Sequence, residues 1–256
     1  MEKPVSQRDL VDGLKVLGLQ RGTAVEVHSS LSSLGWVDGG ATTVIQALME
    51  VVGEEGAIVM PAHRVSLLLP LSEEERAQGI IAKIRFLDED ADCKTGMGIV
   101  ADTFRHWPGT HLGKGIHRVC AWGRNAEQHS QGFDYLLSDD GWALLIGVDI
   151  TRLSSMHTAE GKVEWPQAIT EQFQIPEAIQ QQYPPSDWYI EYHNPCKPPP
   201  GKPWLKVQAE AERRGLIRRG RIGQAKCMLF KAKPVVDIYE EYLRTDPFQF
   251  FDIAKE

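Results

Sequence analysis

The stretch VEVHSSLSSLGWVDGGATTVIQALMEVVG, residues 25–53, sets the fold. A short apolar run gives way to His28, Ser29 and Ser30, a loop continues through Leu31, Ser32, Ser33 and Gly35, and the chain restarts at Gly39 and Gly40 with apolar residues at helical spacing. With Thr23 and Ala24 in front and GAIVM behind, residues 23–61 predict a strand, a helix and a second strand stopped by Pro61. Such a unit crosses over right-handed and lays its two strands parallel in one sheet. Its first connection is the serine loop, where hydroxyls crowd one strand end.

Outward from this unit, helical and strand-like segments keep alternating. Ser6 and Asp9 offer a capping box, and Leu10, Val11, Leu14 and Leu17 then repeat at helical spacing until Gly18. A helix is expected in GIVADTFRHWP, strands in HRVCAWG and WALLIGV, hairpin pieces in GLIRRGRIGQAKCMLFKAKPVV, and a terminal helix after them. No internal repeat is visible. The alternation predicts an α/β fold: three α/β/α layers around a central mostly parallel or mixed sheet, with residues 1–256 as a single domain. Two segments depart from it in composition. Residues 71–92 are acidic and residues 184–203 are dense in proline, so irregular substrate-side excursions are expected at about 63–92 and 184–203.

Composition narrows the function classes. Twenty-eight Lys and Arg against 35 Asp and Glu leave a formal charge of −7, which argues against a nucleic-acid partner and tolerates a cationic one. The polar start MEKPVSQRDL and the lack of any run near the roughly 20 apolar residues of a span predict neither a signal peptide nor a membrane segment, with the cytoplasm as the default location. Cys93, Cys120, Cys196 and Cys227 lie far apart without a C-x-x-C pair, so neither a zinc knuckle nor a disulfide framework is signalled, and no metal is expected.

Several motifs compete. GMGIVA at 96–101 matches G-x-G-x-x-A, but the polar DEDADCKT before it is no buried strand, so a glycine-rich helix start is expected instead of a dinucleotide loop. There is no G-x-S-x-G elbow, P-loop or H-E-x-x-H. GVDITRLSSMHTAEG, residues 147–161, places His157 three residues before Glu160 after a predicted strand end. At a helix start these share a face, so Glu160 can hold the ring's tautomer in a general-base arrangement, although an isolated H-x-x-E is more often a structural pair.

His157 is not isolated. VHSSLSSLGWVDGG at 27–40, GMGIVADTFRHWPGTHLGKGIHRVCAWGRNAEQH at 96–129, the H-x-A-E run at His157 and GRIGQAKCMLF at 220–230 together resemble, in order and spacing, the aminoglycoside 3-N-acetyltransferases, the antibiotic N-acetyltransferase family. The resemblance spans nearly the whole chain. It departs at Arg118, where the family usually has proline, and at Leu153-Ser154-Ser155, where it has Asn-Thr-Ser.

The resemblance implies acetyl-CoA as cosubstrate, bound by His28, Ser29, Ser30, Leu31, Ser32, Ser33 and Gly35. Free N–H groups and hydroxyls before a helix start suit the diphosphate and pantetheine amides. His28 has two readings, a loop-orienting core residue or a cofactor contact. The resemblance further implies a ternary complex and direct transfer, with His157 as base, Glu160 supporting it and Ser154 as a donor to the developing oxyanion. Cys120 is read as a buried strand thiol. The implied acceptor is a polycationic aminoglycoside, acetylated on the 3-amine of 2-deoxystreptamine. Asp88, Glu89, Asp90, Asp92, Asp187 and Glu191 in the excursions, and Glu164 near the histidine, are the carboxylates available to hold it. Alternatives are a different amine acceptor, an amidase-type hydrolase pairing His157 with a serine, and a non-catalytic relative. The sequence does not distinguish a monomer from a homodimer.

Overall fold

Val25 and Val27 alternate with Glu26 and His28, so successive side chains of the first strand enter opposite faces of the sheet. In the computed structural model, which describes residues 3–89, 91, 93–197 and 201–253, this strand lies at the centre of the sheet. The strands are β1 (Ala24–Ser29), β2 (Ala57–Pro61), β3 (Ile80–Arg85), β4 (His111–Leu112), β5 (Val119–Gly123), β6 (Trp142–Ile146), β7 (Trp188–Tyr192), β8 (Arg218–Ile222) and β9 (Ala225–Lys231). Seven of them form one mixed sheet in the order β4-β5-β2-β1-β6-β9-β8. β1 runs parallel to both β2 and β6, with Val25 opposite Ile58 and Trp142, while the outer pairings are antiparallel. The expected strand-helix-strand unit is present, with the helix Gly40–Val52 as its crossover.

Helices cover both faces. On one, Leu10, Leu14, Ile45 and Leu48 of the helices Gln7–Leu17 and Gly40–Val52 pack on Val25, Val27, Ile58, Met60 and Leu144. Each such fully buried side chain contributes about 1.5–3 kcal/mol. The first helix opens on the expected capping box: Ser6 Oγ accepts from the Asp9 N–H at 3.2 Å and the Asp9 carboxylate accepts from the Ser6 N–H at 2.9 Å. On the other face, Val235, Val236 and Tyr239 of the helix Ala232–Thr245 and Val207 and Ala211 of the helix Pro203–Arg213 bury Ala143, Leu145, Met228 and Phe230. Phe133 and Leu136 cover Ala57, Val59, Val119 and Ala121 beside them. The result is the three-layer α/β/α arrangement. No helix of the described residues is long and apolar enough to cross a membrane.

The two excursions are more regular than their composition suggests. β3 and β7, about a hundred residues apart, pair antiparallel as a separate two-stranded sheet, and Ile80, Ile179 and Ile190 give it a small core of its own. The Glu75 carboxylate caps the helix Glu73–Ala77 through the Ser72 N–H at 2.7 Å and also takes the Lys83 ammonium and the Tyr183 hydroxyl, joining both excursions. These donors, Lys83 foremost, hold its carboxyl down to about 2. Arg118 shows why this chain can depart from proline there. Its buried guanidinium donates to the Ala62 carbonyl at 3.1 Å and the Glu89 carbonyl at 3.2 Å, fastening the acidic segment to the end of β2.

Candidate active site

In an open α/β sheet, ligands bind outside the carboxyl ends of the parallel strands, where neighbouring connections diverge. Here Val27, His28 and Ser29 at the end of β1, Met60 and Pro61 at the end of β2, and Gly147 and Val148 just after β6 open into a cavity of about 1000 Å³. The serine loop forms its floor. Ser30 donates its N–H to the Ile146 carbonyl at 2.9 Å, the chain turns through the 3-10 helix Leu31–Leu34, and the helix Gly40–Val52 begins at the rim.

Of the seven loop residues singled out from sequence, six line the cavity: His28, Ser29, Ser30, Leu31, Ser32 and Gly35. Ser33 does not. Its hydroxyl donates to the Ser30 carbonyl at 2.6 Å and lies against Gly147, whose backbone has φ +67°. A Cβ on Gly147 would sit 1.7 Å from Ser33 Oγ, so glycine is what lets the end of β6 approach the loop.

The catalytic candidates meet at the same cavity. His157 and Ser154 line it, and the His157 Nδ1 lies 2.9 Å from Glu160 Oε2. The Tyr239 hydroxyl donates to the other carboxylate oxygen at 3.0 Å, and the Trp165 indole N–H donates to the Glu160 carbonyl at 3.2 Å. Burial and the Glu160 charge push the Tyr239 phenol far up, so it stays a donor. Glu160 therefore accepts from Nδ1–H, which leaves Nε2 as the basic nitrogen. The ring also packs edge-on against Trp204, with centroids 4.9 Å apart.

Two further histidines stand close by. His63 lines the cavity, with its ring edge-on to His117 at 5.2 Å. Burial, reinforced by His117, His157 and His28, brings His63 down to about 3, so it is neutral at physiological pH. Gly96, Met97, Gly98 and Ile99 line the cavity as well, so GMGIVA both opens the helix Ile99–Phe104 and walls the site.

Glu26 went unremarked in the sequence, and it ties the site together. Fully buried on β1, it places Oε1 2.7 Å from His28 Nε2 and 3.1 Å from the Ser155 N–H. The Ser154 N–H also points at His28 Nε2, at 3.3 Å. One nitrogen cannot donate to Glu26 and accept from Ser154 at once, and the shorter contact to a carboxylate prevails. The Glu26 carboxylate and the Ser154 N–H converge on one ring nitrogen, which ties β1 to the segment before His157. The signal was legible: two ionisable residues at i and i+2 share one face of a central strand.

The acceptor carboxylates fare differently. Asp88, Glu89, Glu164, Asp187 and Glu191 are exposed and none lines the cavity, while Asp90 and Asp92 lie outside the described residues. Glu191 accepts from the Tyr189 hydroxyl at 3.3 Å, and burial together with the Glu191 and Glu160 charges pushes that phenol up to about 12. Burial likewise pushes the Cys120 thiol up to about 12, so it is no nucleophile at neutral pH. Among the described residues no three His, Cys, Asp or Glu side chains converge as a metal site would require.

The chain is similar to known proteins over nearly its whole length. The SPbeta prophage-derived aminoglycoside N(3')-acetyltransferase-like protein YokD of Bacillus subtilis is 30% identical over 264 residues, covering 93% of this chain and 92% of the relative. The crystal structure of the YokD protein from Bacillus subtilis superposes with a TM-score of 0.67 at 27% identity over 96% of each chain. That of AAC-IIIb, a binary complex with CoASH, shares the fold with a TM-score of 0.68 at 21% identity, over 99% of this chain and 100% of the other. The aminoglycoside 3-N-acetyltransferase family model matches residues 27–244, a span holding the serine loop, the cavity walls and the His157–Glu160 pair alike, and the chain belongs to that family.

Proposed function

We propose that this acetyltransferase binds acetyl-CoA along the serine loop and transfers the acetyl group directly to the 3-amino group of a 2-deoxystreptamine aminoglycoside, with His157 as general base. The observation that carries the reading is the Tyr239–Glu160–His157 chain of hydrogen bonds ending at the cavity that the serine loop floors. An amine at neutral pH is protonated and must be stripped before it attacks. Nε2 of His157 receives the amine proton, and Glu160 stabilises the imidazolium that results. The amine nitrogen bonds to the thioester carbon, and the carbon–sulfur bond breaks with its electron pair on sulfur. Ser154, which lines the cavity beside His157, is the donor to the oxyanion that forms in between.

Coenzyme A binding draws support from the loop's hydroxyls and backbone donors, and from the CoASH complex of AAC-IIIb, a protein of the same fold. For the acceptor, the exposed carboxylates Asp88, Glu89, Glu164, Asp187 and Glu191 suit a ligand with several ammonium groups. Residues 1–256 act as one catalytic unit in this reading, with the paired excursions on the acceptor side.

A Gly147→Ala or Ser33→Phe variant tests the loop assignment. Either change forces the loop away from the end of β6, and the left-handed backbone at Gly147 adds about 1–2 kcal/mol of strain for alanine. The KM for acetyl-CoA is expected to rise much more than that for the amine. Equal rises in both, or unchanged coenzyme A binding by calorimetry in a folded variant, would remove the loop from the cosubstrate site.

A further inference from the structure

Coenzyme A is a polyanion, and one side chain of the cavity is suited to its charge. Arg152 is the single Lys or Arg among the described residues that line it, and no Asp or Glu lines it. Among the described residues the Arg152 guanidinium makes no ion pair and no hydrogen bond. By contrast Arg21, Arg124, Arg213, Arg214, Arg219 and Arg244 are each paired with a carboxylate. Asp149, the acid nearest in sequence, is turned away to accept from the Thr151 N–H at 2.9 Å and from its hydroxyl. The backbone beneath the arginine is fixed, because Ile150 and Leu153 on either side of it are fully buried.

Trp36 is a large exposed side chain that lines the same cavity. Its indole lines the cavity yet is 69% exposed, whereas its main chain is held by the Val5 N–H on the Trp36 carbonyl at 2.8 Å and by buried Val37. A tryptophan normally buries most of its surface, so an indole held at a cavity mouth is a platform for a flat ligand.

We propose that Trp36 and Arg152 form the subsite for the nucleotide end of coenzyme A, with the guanidinium on a phosphate and the indole against the adenine ring. The inference rests on the acetyl-CoA reading above. It also explains how a chain of net negative charge holds a polyanionic cosubstrate: a planar fork with no competing carboxylate meets the phosphate oxygens, and stacking on an aromatic face is indifferent to which base edge is presented.

The test compares acetyl-CoA, acetyl-dephospho-CoA and acetyl-pantetheine as donors for the wild type, Arg152→Gln and Trp36→Ala. In the wild type, kcat/KM should fall from acetyl-CoA to acetyl-pantetheine. In Arg152→Gln that advantage should shrink about tenfold, as expected for a lost charge-assisted contact, and in Trp36→Ala by a similar factor. A role in folding alone would depress all three donors together and leave the advantage intact, which overturns the proposal. If the Arg152→Gln effect vanishes with acetyl-dephospho-CoA, the partner is the 3'-phosphate; if it persists, the partner is the diphosphate. Wild-type protein that transfers from none of the donors would refute the acetyl-CoA reading itself. Wild-type turnover with an undiminished Arg152→Gln advantage would refute the subsite alone.

Discussion

His157→Ala lowers the rate of acetyl transfer by about 10²–10⁴-fold, the usual contribution of a general base, while coenzyme A affinity stays close to that of the wild type. The separation follows from the geometry. A base acts on the amine proton in the transition state, whereas in the proposed function the cosubstrate is held by the serine loop, which lines the same cavity. Glu160→Gln should cost less, because the amide still orients the ring but no longer offsets its charge. Turnover by His157→Ala at more than a third of the wild-type rate would remove His157 from the mechanism. Steady-state kinetics with calorimetry of coenzyme A binding reads both halves of the expectation.

Glu26→Ala is expected to have the largest effect on stability of any single change at the site. The carboxylate is fully buried and joins β1 to the segment before His157 through His28 and the Ser155 N–H. Removing it leaves a buried histidine and a buried N–H without their acceptor, at a cost of about 3–5 kcal/mol by analogy with broken buried pairs. For a chain of this size that corresponds to a fall in Tm of roughly 10 °C. Glu26→Gln keeps an acceptor for Ser155 and should recover much of the loss. A thermal melt of Glu26→Ala within a degree or two of the wild type would contradict the role given to this contact.

The core of the fold was legible because its signals are local. The apolar spacing of residues 40–52, the capping box at Ser6 and the stop at Pro61 each act within a few residues, and together they fix β1, the crossover helix and β2. β3 and β7 were not legible. IIAKIR and WYIEY carry no clean alternation, one face of each being only partly buried, and their pairing joins segments that no local pattern relates. The serine loop and His157–Glu160 were visible as residue types at fixed spacing, and the structure brings them to one cavity. The acids were less legible for a physical reason: a run such as residues 88–92 reports charge, but nothing in it tells which way a carboxylate points. Glu26 had a usable signal in its spacing from His28, whereas Arg152 had none, since an unpaired guanidinium is defined by neighbours that only the fold supplies.

The activity proposed for this chain is transfer of an acetyl group from coenzyme A to the 3-amine of a 2-deoxystreptamine aminoglycoside. Incubation with acetyl-CoA and each of gentamicin, sisomicin, kanamycin and apramycin, followed by mass spectrometry and NMR location of the modified nitrogen, tests it most directly. The expected result is a single added acetyl group on the 3-amine of at least one of the four, formed with the wild type and absent with His157→Ala. Failure on every member of the panel alongside turnover of a small monoamine would contradict the acceptor, and thiol release from acetyl-CoA without any acetylated amine would contradict acetyl transfer.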